Sequence, residues 1–316
     1  MTATYLITGA TGYQGGSTAR QLLSNGHQVH AFVRNPSSPA AQNLAALGAK
    51  LFQGDYSDLP SIAAATKGVT GVFLNTFPDF QHPDGEIPQA QNFVTAAREA
   101  GTVTTFVVST VFKSKEYLEF TTAAAAGTSE FPFLARYYKS KAGVEDVVLA
   151  SGIQNVTILR PSTLGYQYLS PYCSLYFPEY PEEHFMAVSY AKGYRRSHFD
   201  PEDVGKFAAA AFLQPERFGG KTIELVSEAL TFDEIAGIIT RVSGVEVEIR
   251  YRSQEETKAL VLSGKFPVLE TQIIPRKLDF ENGVINLEDY GIQLGTLEGF
   301  LKREKSKLLD TLGVKG

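Results

Sequence analysis

The chain has 316 residues, of which 43% are hydrophobic and 20% are charged, an ordinary composition for a globular protein with a large core. Its formal net charge is −5 and no stretch carries a dense block of Lys and Arg, so a surface that follows nucleic-acid phosphates is not expected. Cys173 is the single cysteine, which excludes an internal disulfide framework and a multi-thiolate metal site.

Signals for targeting and for metal binding are also missing. The N-terminal residues contain no basic leader and no apolar segment of signal-peptide length. The uncharged stretch 161–178 contains three prolines and many polar residues, which argues against a membrane span. The five histidines show no metal-ligand spacing. We therefore expect a soluble, cytoplasmic protein without a metal ion.

The first 160 residues alternate short apolar runs with helical patterns. The predicted strands are 4–8, 28–33, 50–52, 71–74, 105–108 and 156–159. The predicted helices between them are 18–23, 40–47, 62–66, 89–100 and 138–149. This regular alternation predicts an α/β fold, a doubly wound parallel sheet of the Rossmann-like type with helices on both faces.

The pattern changes after residue 160. Residues 165–194 are rich in tyrosine and have little periodicity. Beyond them we predict helices at 203–213, 231–242 and 297–312 and strands at 221–226 and 245–251, with Thr231 as N-cap three residues before Glu234. We expect one domain over residues 1–160, to which residues of about 200–230 return, and a smaller α/β lobe over 161–316.

A glycine-rich turn directly follows the first strand and opens a helix. Gly9, Gly12 and Gly15 stand three apart, followed by Gly16. In such a turn one glycine makes the bend, one lets the backbone approach a pyrophosphate, and one allows the helix to pack closely on the strand. The helix N-terminus then offers N–H donors and a positive dipole to the phosphates. The sequence therefore predicts dinucleotide binding.

The end of the second strand indicates which dinucleotide is bound. An NAD-preferring fold places Asp or Glu there to hold the ribose 2′-hydroxyl, but residues 28–38 contain no acid. Arg34 stands there instead, and a guanidinium forms charge-assisted hydrogen bonds to a 2′-phosphate. We predict NADP(H) as the cofactor; the alternative is that Arg34 is only a solvated strand end.

The glycine spacing resembles that of extended and atypical short-chain dehydrogenase/reductases, and the longer string GATGYQGGSTARQLL is closer to the NmrA-like family. The resemblance extends over FVRNPSS, LFQGDYSD, YYKSKAGVE, ILRPSTL and HFDPEDVGKFAAAAFLQPERFGGKTIEL, about residues 4–245 in all. It implies that residues 1–160 bind NADP(H) and that 161–316 mainly bind substrate. The residues that it implies for the cofactor are Gly9, Thr11, Gly12, Tyr13, Gln14, Gly15, Arg34, Asp55, Tyr56, Asn75, Thr76, Phe77, Lys141 and Pro161.

Tyr137 and Lys141 are the candidate catalytic pair. They stand four apart at the start of the helix where short-chain dehydrogenases place Tyr-x-x-Ser-Lys, and Ser140 precedes the lysine as in that motif. A neighbouring ammonium favours the phenolate, and the same lysine could bind the nicotinamide ribose. A hydroxyl at the end of the fifth strand would polarise a substrate carbonyl; we favour Thr110, with Ser109 second. The alternative is an ordinary aromatic at Tyr137 and a ribose ligand at Lys141.

The tyrosine-rich segment supplies candidate substrate contacts, because ligands of doubly wound folds bind outside the carboxyl ends of the strands. We assign Tyr166, Tyr168 and Tyr172 to substrate binding, with a role in the core or in a homodimer contact as the alternative.

Three functions follow from these motifs. The first is NADPH-dependent reduction of a carbonyl or conjugated double bond in an aromatic or polyketide-like molecule of secondary metabolism, with Tyr137 as the proton donor. The second is a catalytically silent NADP(H) sensor that binds a regulatory protein, and the third is an isomerase or epimerase on the same fold.

Overall fold

The computed structural model describes residues 2–76, 85–122, 129–274 and 286–314. The chain divides into two compact units. The first comprises Met1–Lys115, Arg136–Pro161 and Pro201–Leu225, and the second comprises Glu116–Ala135, Ser162–Asp200 and Val226–Gly316. Within the described ranges, no helix has the length and apolar character that a membrane span requires.

The strands of the described residues are β1 (Thr4–Ile7), β2 (Gln28–Val33), β3 (Lys50–Gln53), β4 (Gly71–Asn75), β5 (Thr105–Ser109), β6 (Asn155–Pro161), β7 (Thr163–Leu164), β8 (Phe185–Val188), β9 (Arg195–Phe199), β10 (Thr222–Leu225), β11 (Glu228–Thr231) and β12 (Glu248–Tyr251). The helices are α1 (Tyr13–Ser24), α2 (Pro39–Ala46), α3 (Leu59–Thr66), α4 (Glu86–Ala100), α5 (Ser114–Thr122), α6 (Pro132–Leu149), α7 (Cys173–Tyr176), α8 (Tyr180–Glu183), α9 (Pro201–Leu213), α10 (Pro215–Phe218), α11 (Phe232–Ser243), α12 (Gln254–Leu262), α13 (Glu270–Ile273), α14 (Leu297–Arg303) and α15 (Lys305–Thr311).

The first unit is built on a parallel sheet of seven strands among the described residues, in the order β10-β6-β5-β4-β1-β2-β3. The strand order reverses at β1, which pairs with β2 on one side and with β4 on the other. This is the topological switch point at which doubly wound folds bind ligands. The predicted fold class, a doubly wound parallel sheet, is confirmed.

The apolar strands explain why this sheet forms. Leu6, Phe73 and Val107 lie on three neighbouring strands and are 0% exposed. A parallel sheet is covered by helices on both faces, so its strands are continuous apolar runs. On one face Phe93 of α4 and Val144 of α6 pack into the same core, and burial of each such side chain stabilises the fold by about 1.5–3 kcal/mol.

The second unit has two small sheets among its described residues. One pairs β9 antiparallel with β11 and parallel with β7, and the other pairs β12 with β8. Its largest buried side chains include Tyr168, Phe177 and Tyr180. The predicted N-cap of α11 is confirmed, because Thr231 and Glu234 form a reciprocal capping box.

Two element predictions differ most from the structure, beside smaller shifts such as the start of α1 at Tyr13 and not at residue 18. The single helix predicted over 297–312 is two helices, α14 and α15, which meet at Glu304. Glu304 has φ −99° and ψ 23°, outside the helical range, so the helix is interrupted there. Phe300 and Leu301 of α14 and Leu308 of α15 are all buried. The helix predicted to start at residue 138 begins at Pro132 instead, so α6 carries Tyr137 and Lys141 within its body.

Candidate functional site

The glycine-rich turn joins β1 to α1 at the switch point. Gly9 has φ +57°, a left-handed conformation that glycine adopts without strain, and the Gly12 N–H donates to the Gly9 carbonyl at 2.9 Å. A Cβ added to Gly15 would lie 2.4 Å from the Thr8 carbonyl oxygen. Gly15 therefore allows α1 to start against the backbone of β1, which is the packing role predicted for the third glycine.

The N-terminus of α1 has the features that a phosphate requires. Gly12 is the N-cap, no side chain caps this end, and the first turn contains no acidic residue. Thr11 and Gly12 are exposed, whereas Gln14 is buried, and the Gln14 carboxamide oxygen has no hydrogen-bond partner among the described residues. The uncapped amides and the helix dipole favour an anion here. The turn thus fits the pyrophosphate of a dinucleotide.

Arg34 is exposed and directly follows β2. Its carbonyl accepts a hydrogen bond from Gln53 at 3.3 Å, and in the described part of the chain its guanidinium forms no ion pair. The Asp55 carboxylate accepts from the Ser57 hydroxyl at 2.6 Å and from the Ser57 N–H at 2.9 Å. These bonds lower the pKa of Asp55, and the Arg34 charge lowers it further. The side chain at the strand end is therefore a cation with unused donors.

Tyr56 and Asn75 lie beside the glycine turn. The Tyr56 hydroxyl donates to the Asn75 carbonyl at 3.3 Å, and burial raises the pKa of Tyr56. A Cβ on Gly9 would lie 3.7 Å from the Asn75 Nδ2 atom. Phe77, the third residue expected at this strand end, lies outside the described residues. Pro161 ends β6, is buried, and accepts the Phe112 N–H at 3.0 Å.

Lys141 is held by a partner that the sequence did not identify. It is 3% exposed, and its Nζ donates to Glu86 Oε1 at 2.6 Å and to the Thr76 carbonyl at 3.1 Å. The Ser140 hydroxyl donates to the other oxygen of Glu86 at 2.8 Å. The Lys141 Nζ lies 5.8 Å from the ring centroid of Tyr137, which is half-buried. The predicted pair is thus present on α6, and its ammonium is ion-paired.

The Glu86 carboxylate is charged. Burial by itself would raise the pKa of Glu86, but the Lys141 ammonium outweighs burial and the pKa lies below its usual value. Glu86 is 1% exposed and begins α4, where it lies on the face of Ala90 and Phe93 that packs into the core. An acidic residue in register with a buried helix face needs a partner, and this periodicity is the sequence signal that could have found it.

The two hydroxyls at the end of β5 have different surroundings. The Thr110 hydroxyl donates to Glu145 at 2.7 Å, and Glu145 also accepts from Ser114 at 2.8 Å and from the Arg160 guanidinium at 2.7 and 3.0 Å. The Ser109 hydroxyl is buried and has no hydrogen-bond partner among the described residues. The hydroxyl proton of Thr110 is therefore used in a hydrogen bond to the Glu145 carboxylate.

The tyrosines assigned to substrate also differ in burial, and all three lie in the second unit. Tyr168 is 0% exposed, and its hydroxyl is 2.8 Å from His198 Nε2. Its ring is stacked on Phe177 at 5.9 Å. Tyr166 and Tyr172 are half-buried, with ring centroids 5.0 Å apart. The structure thus places Tyr168 in the core and leaves Tyr166 and Tyr172 partly accessible.

Comparison with known proteins agrees with this geometry. The model of the NmrA-like family matches residues 1–308. A relative described as an NmrA-like family domain-containing oxidoreductase, hkm9 of Aspergillus hancockii, is 31% identical over 271 residues, which cover 80% of this chain and 77% of the relative.

Two solved structures have the same fold. A Citrobacter triphenylmethane reductase complexed with NADP(H) matches with TM-score 0.69 at 23% identity, over 95% of this chain and 99% of that one. The negative transcriptional regulator NmrA in complex with NADP matches with TM-score 0.70 at 19% identity, over 98% of each chain, and NmrA has also been crystallised with NAD.

Proposed function

The chain belongs to the NmrA-like family, and we propose that it is an NADPH-dependent reductase of a carbonyl or conjugated double bond in an aromatic or polyketide-like molecule. The observation that carries this proposal is the Tyr137–Lys141 pair on α6, with the Lys141 ammonium fixed by Glu86 at 2.6 Å. The oxidoreductase descriptions of relatives such as hkm9 support it.

In this proposal the first unit is the cofactor-binding domain. The uncapped N-terminus of α1 would hold the pyrophosphate, and Arg34 would hold the 2′-phosphate. Asp55 and Tyr56 would border the adenine, and Asn75 and the residues after it the nicotinamide half. When bound, NADPH supplies the hydride. NADP(H) in the triphenylmethane reductase and NmrA structures supports the assignment.

Tyr137 would donate the proton that a reduction requires. The pair formed by Lys141 and Glu86 is neutral overall, so it favours a Tyr137 phenolate less than a bare ammonium would. A proton donor must carry its proton before the reaction, and a weaker stabilisation of the phenolate favours that state. The Glu86 carboxylate thus favours the protonated form of Tyr137, and Lys141 would mainly orient the ribose and the tyrosine.

In this proposal neither Thr110 nor Ser109 donates a hydrogen bond to the substrate carbonyl. The Thr110 proton is committed to Glu145, so Thr110 cannot at the same time donate to a substrate carbonyl. Ser109 is 1% exposed, which leaves it little access to a substrate. In the second unit, Tyr166 and Tyr172 are the tyrosines that we propose for the substrate.

The substitution Tyr137→Phe tests the proton donor. A panel of triphenylmethane dyes, quinones, enones and aromatic ketones, followed by NADPH absorbance, would first identify a substrate. We expect Tyr137→Phe to lower turnover by about 10²–10⁴-fold, as removal of a general acid does, and to leave NADPH affinity unchanged. Tyr138→Phe, the same change one residue along α6, is the control. Full activity of Tyr137→Phe on a turned-over substrate would exclude Tyr137 as the donor.

A cofactor sensor is the second candidate. The commitment of Thr110 to Glu145 favours it, because a reductase with a third catalytic hydroxyl would leave that proton available. The fold shared with the transcriptional regulator NmrA also supports it. A sensor would bind NADP(H) and turn over none of the panel, and Tyr137→Phe would then change neither binding nor turnover.

A further inference from the structure

Arg196 is a cation of the second unit that has no acidic partner among the described residues. It lies on β9 and is half-buried. Its Nε donates to the Thr163 hydroxyl at 2.8 Å and its Nη2 to the Gln167 carboxamide oxygen at 2.9 Å. A guanidinium has five N–H donors. Thr163 and Gln167 are neutral, so these two contacts orient the guanidinium without neutralising its charge.

Tyrosines surround this guanidinium. The Arg196 Cζ lies 5.7 Å from the ring centroid of Tyr176, and Arg196 also interacts electrostatically with Tyr190 and Tyr194. The rings of Tyr190 and Tyr194 are stacked, 4.8 Å apart with 9° between their planes. Phe232 stacks on Tyr190 at 4.8 Å as well, so Tyr190 supports Tyr194 and has no open ring face of its own. Tyr176 and Tyr194 are then the rings beside the planar cation against which a flat molecule with a negative charge would lie.

His198, two residues along the same strand, does not add a second charge. Its Nδ1 is 2.8 Å from the Arg196 carbonyl, and a carbonyl only accepts, so Nδ1 carries the proton. Nε2 therefore accepts from the Tyr168 hydroxyl. Burial, with the Arg196 charge, lowers the pKa of His198 to about 3, which keeps the imidazole neutral at pH 7. Arg196 is the charged group of this cluster.

The neighbouring arginine shows how an ordinary surface cation of this strand is compensated. Arg195 is exposed, and its guanidinium lies 3.1 Å from the Glu234 carboxylate. Arg196 pays a larger desolvation cost than Arg195, and the described residues provide no carboxylate to offset it. Such a cation is best satisfied by an anion that arrives with a ligand.

We propose that Arg196 binds the oxyanion of a ligand, a carboxylate or acidic phenolate attached to a flat aromatic ring that lies against Tyr176 and Tyr194. This anion site lies within the second unit and goes beyond the proposed reductase function. The planar guanidinium fork matches a carboxylate with two parallel hydrogen bonds, and a lysine could not reproduce that geometry.

Calorimetric titration with 2-naphthoate and with its neutral isostere 2-naphthamide tests the site on the full chain, in the absence and in the presence of NADP⁺. We expect naphthoate to bind at least about 10-fold more tightly than naphthamide, because hydrogen bonds to charged groups are the strong ones. Equal affinities, or no binding of naphthoate at millimolar concentration, would overturn the proposal.

Variants then assign the preference to one side chain. Arg196→Met should abolish the preference for naphthoate, Arg196→Lys should restore it only in part, and Arg195→Met, the matched control on the same strand, should retain it. If Arg196→Met does not fold, the proposed anion site is still tested by Arg196→Lys and by the comparison of the two probes on the unaltered chain. Retention of the full preference in Arg196→Lys would contradict the bidentate geometry.

This experiment separates the two proposals. It needs neither turnover nor NADPH, so full activity of Tyr137→Phe together with a preference for naphthoate would refute the proposed proton donor and leave the anion site standing. A chain that reduces a substrate but shows no preference would do the reverse.

Discussion

Lys141 of the first unit and Arg196 of the second are cations withdrawn from water, but their surroundings differ. The Lys141 Nζ atom lies 2.6 Å from the Glu86 carboxylate, and Glu86 is itself 1% exposed. Arg196 is held by a hydroxyl and a carboxamide, and no described carboxylate lies within ion-pair distance. The first cation is neutralised by the protein, and the second is oriented by the protein but keeps its charge.

The difference indicates what each cation is for. A buried ion pair contributes little net stability, but it fixes the position of both groups, and removal of one partner leaves an uncompensated charge. Lys141 is therefore suited to orient other groups at a fixed place. An oriented cation without a carboxylate can still accept a ligand anion, which is the role that we propose for Arg196.

The largest expected effect is at the compensated cation. Glu86→Gln leaves the Lys141 ammonium buried without a counter-charge, so we expect the free energy of unfolding to fall by about 3–5 kcal/mol, measured by denaturant titration. Asp146→Asn on the same helix α6 is the control. Asp146 pairs with Lys115 at the surface, and such pairs contribute about 0–1 kcal/mol.

A double variant sharpens this prediction. Lys141→Met combined with Glu86→Gln removes both charges, and we expect it to recover most of the stability that Glu86→Gln loses. If Glu86→Gln cost no more than Asp146→Asn, the pair would not be a buried ion pair in solution, and the contrast with Arg196 would disappear.

A smaller effect is expected at His198, beside the uncompensated cation. The folded-state pKa is about 3 and the ordinary value is 6.5, so between these values the unfolded chain binds a proton that the folded chain does not. The contribution of neutral His198 to the free energy of unfolding is therefore complete above pH 6.5. It is lost as the pH falls below that value, by about 1.4 kcal/mol per pH unit for one proton.

The comparison of His198→Gln with the unaltered chain isolates this proton. Unfolding measured from pH 8 to pH 4 should show a flatter acid limb in the variant, and the difference at pH 8, where the histidine is neutral in both states, gives the packing effect alone. Parallel acid limbs would mean that His198 is protonated next to Arg196, and the cluster would then hold two charges.

Local signals account for what could be predicted from the sequence. The strand over Gln28–Val33 has the predicted bounds, because an apolar alternation ends at Arg34 and Pro36. The turn from Gly9 to Gly15 could be predicted because both positions require glycine. Gly9 has a positive φ, and a Cβ at Gly15 would collide with the backbone oxygen of Thr8.

The hydrogen-bond and ion-pair partners of the charged residues could not be predicted from the sequence in the same way. Glu86 and Lys141 are 55 positions apart, and no local pattern specifies that α4 and α6 bring them together. The hydrogen bond from Thr110 to Glu145 joins residues 35 positions apart, and it too depends on how the chain folds and not on a local pattern. Tyr168 and Tyr172 have the same residue type and neighbouring positions, so only packing separates the core tyrosine from the accessible one.

We expect a cation that forms no ion pair among the described residues to receive a ligand anion, and Arg34 tests this claim most directly because NADPH, its proposed ligand, can be added to the unaltered chain. Calorimetric titration of the unaltered chain should show that NADPH binds roughly 10- to 100-fold more tightly than NADH, since the 2′-phosphate gains charge-assisted hydrogen bonds. Arg34→Ala should remove that preference while NADH affinity stays the same. Equal affinities of the unaltered chain for NADPH and NADH would contradict the claim.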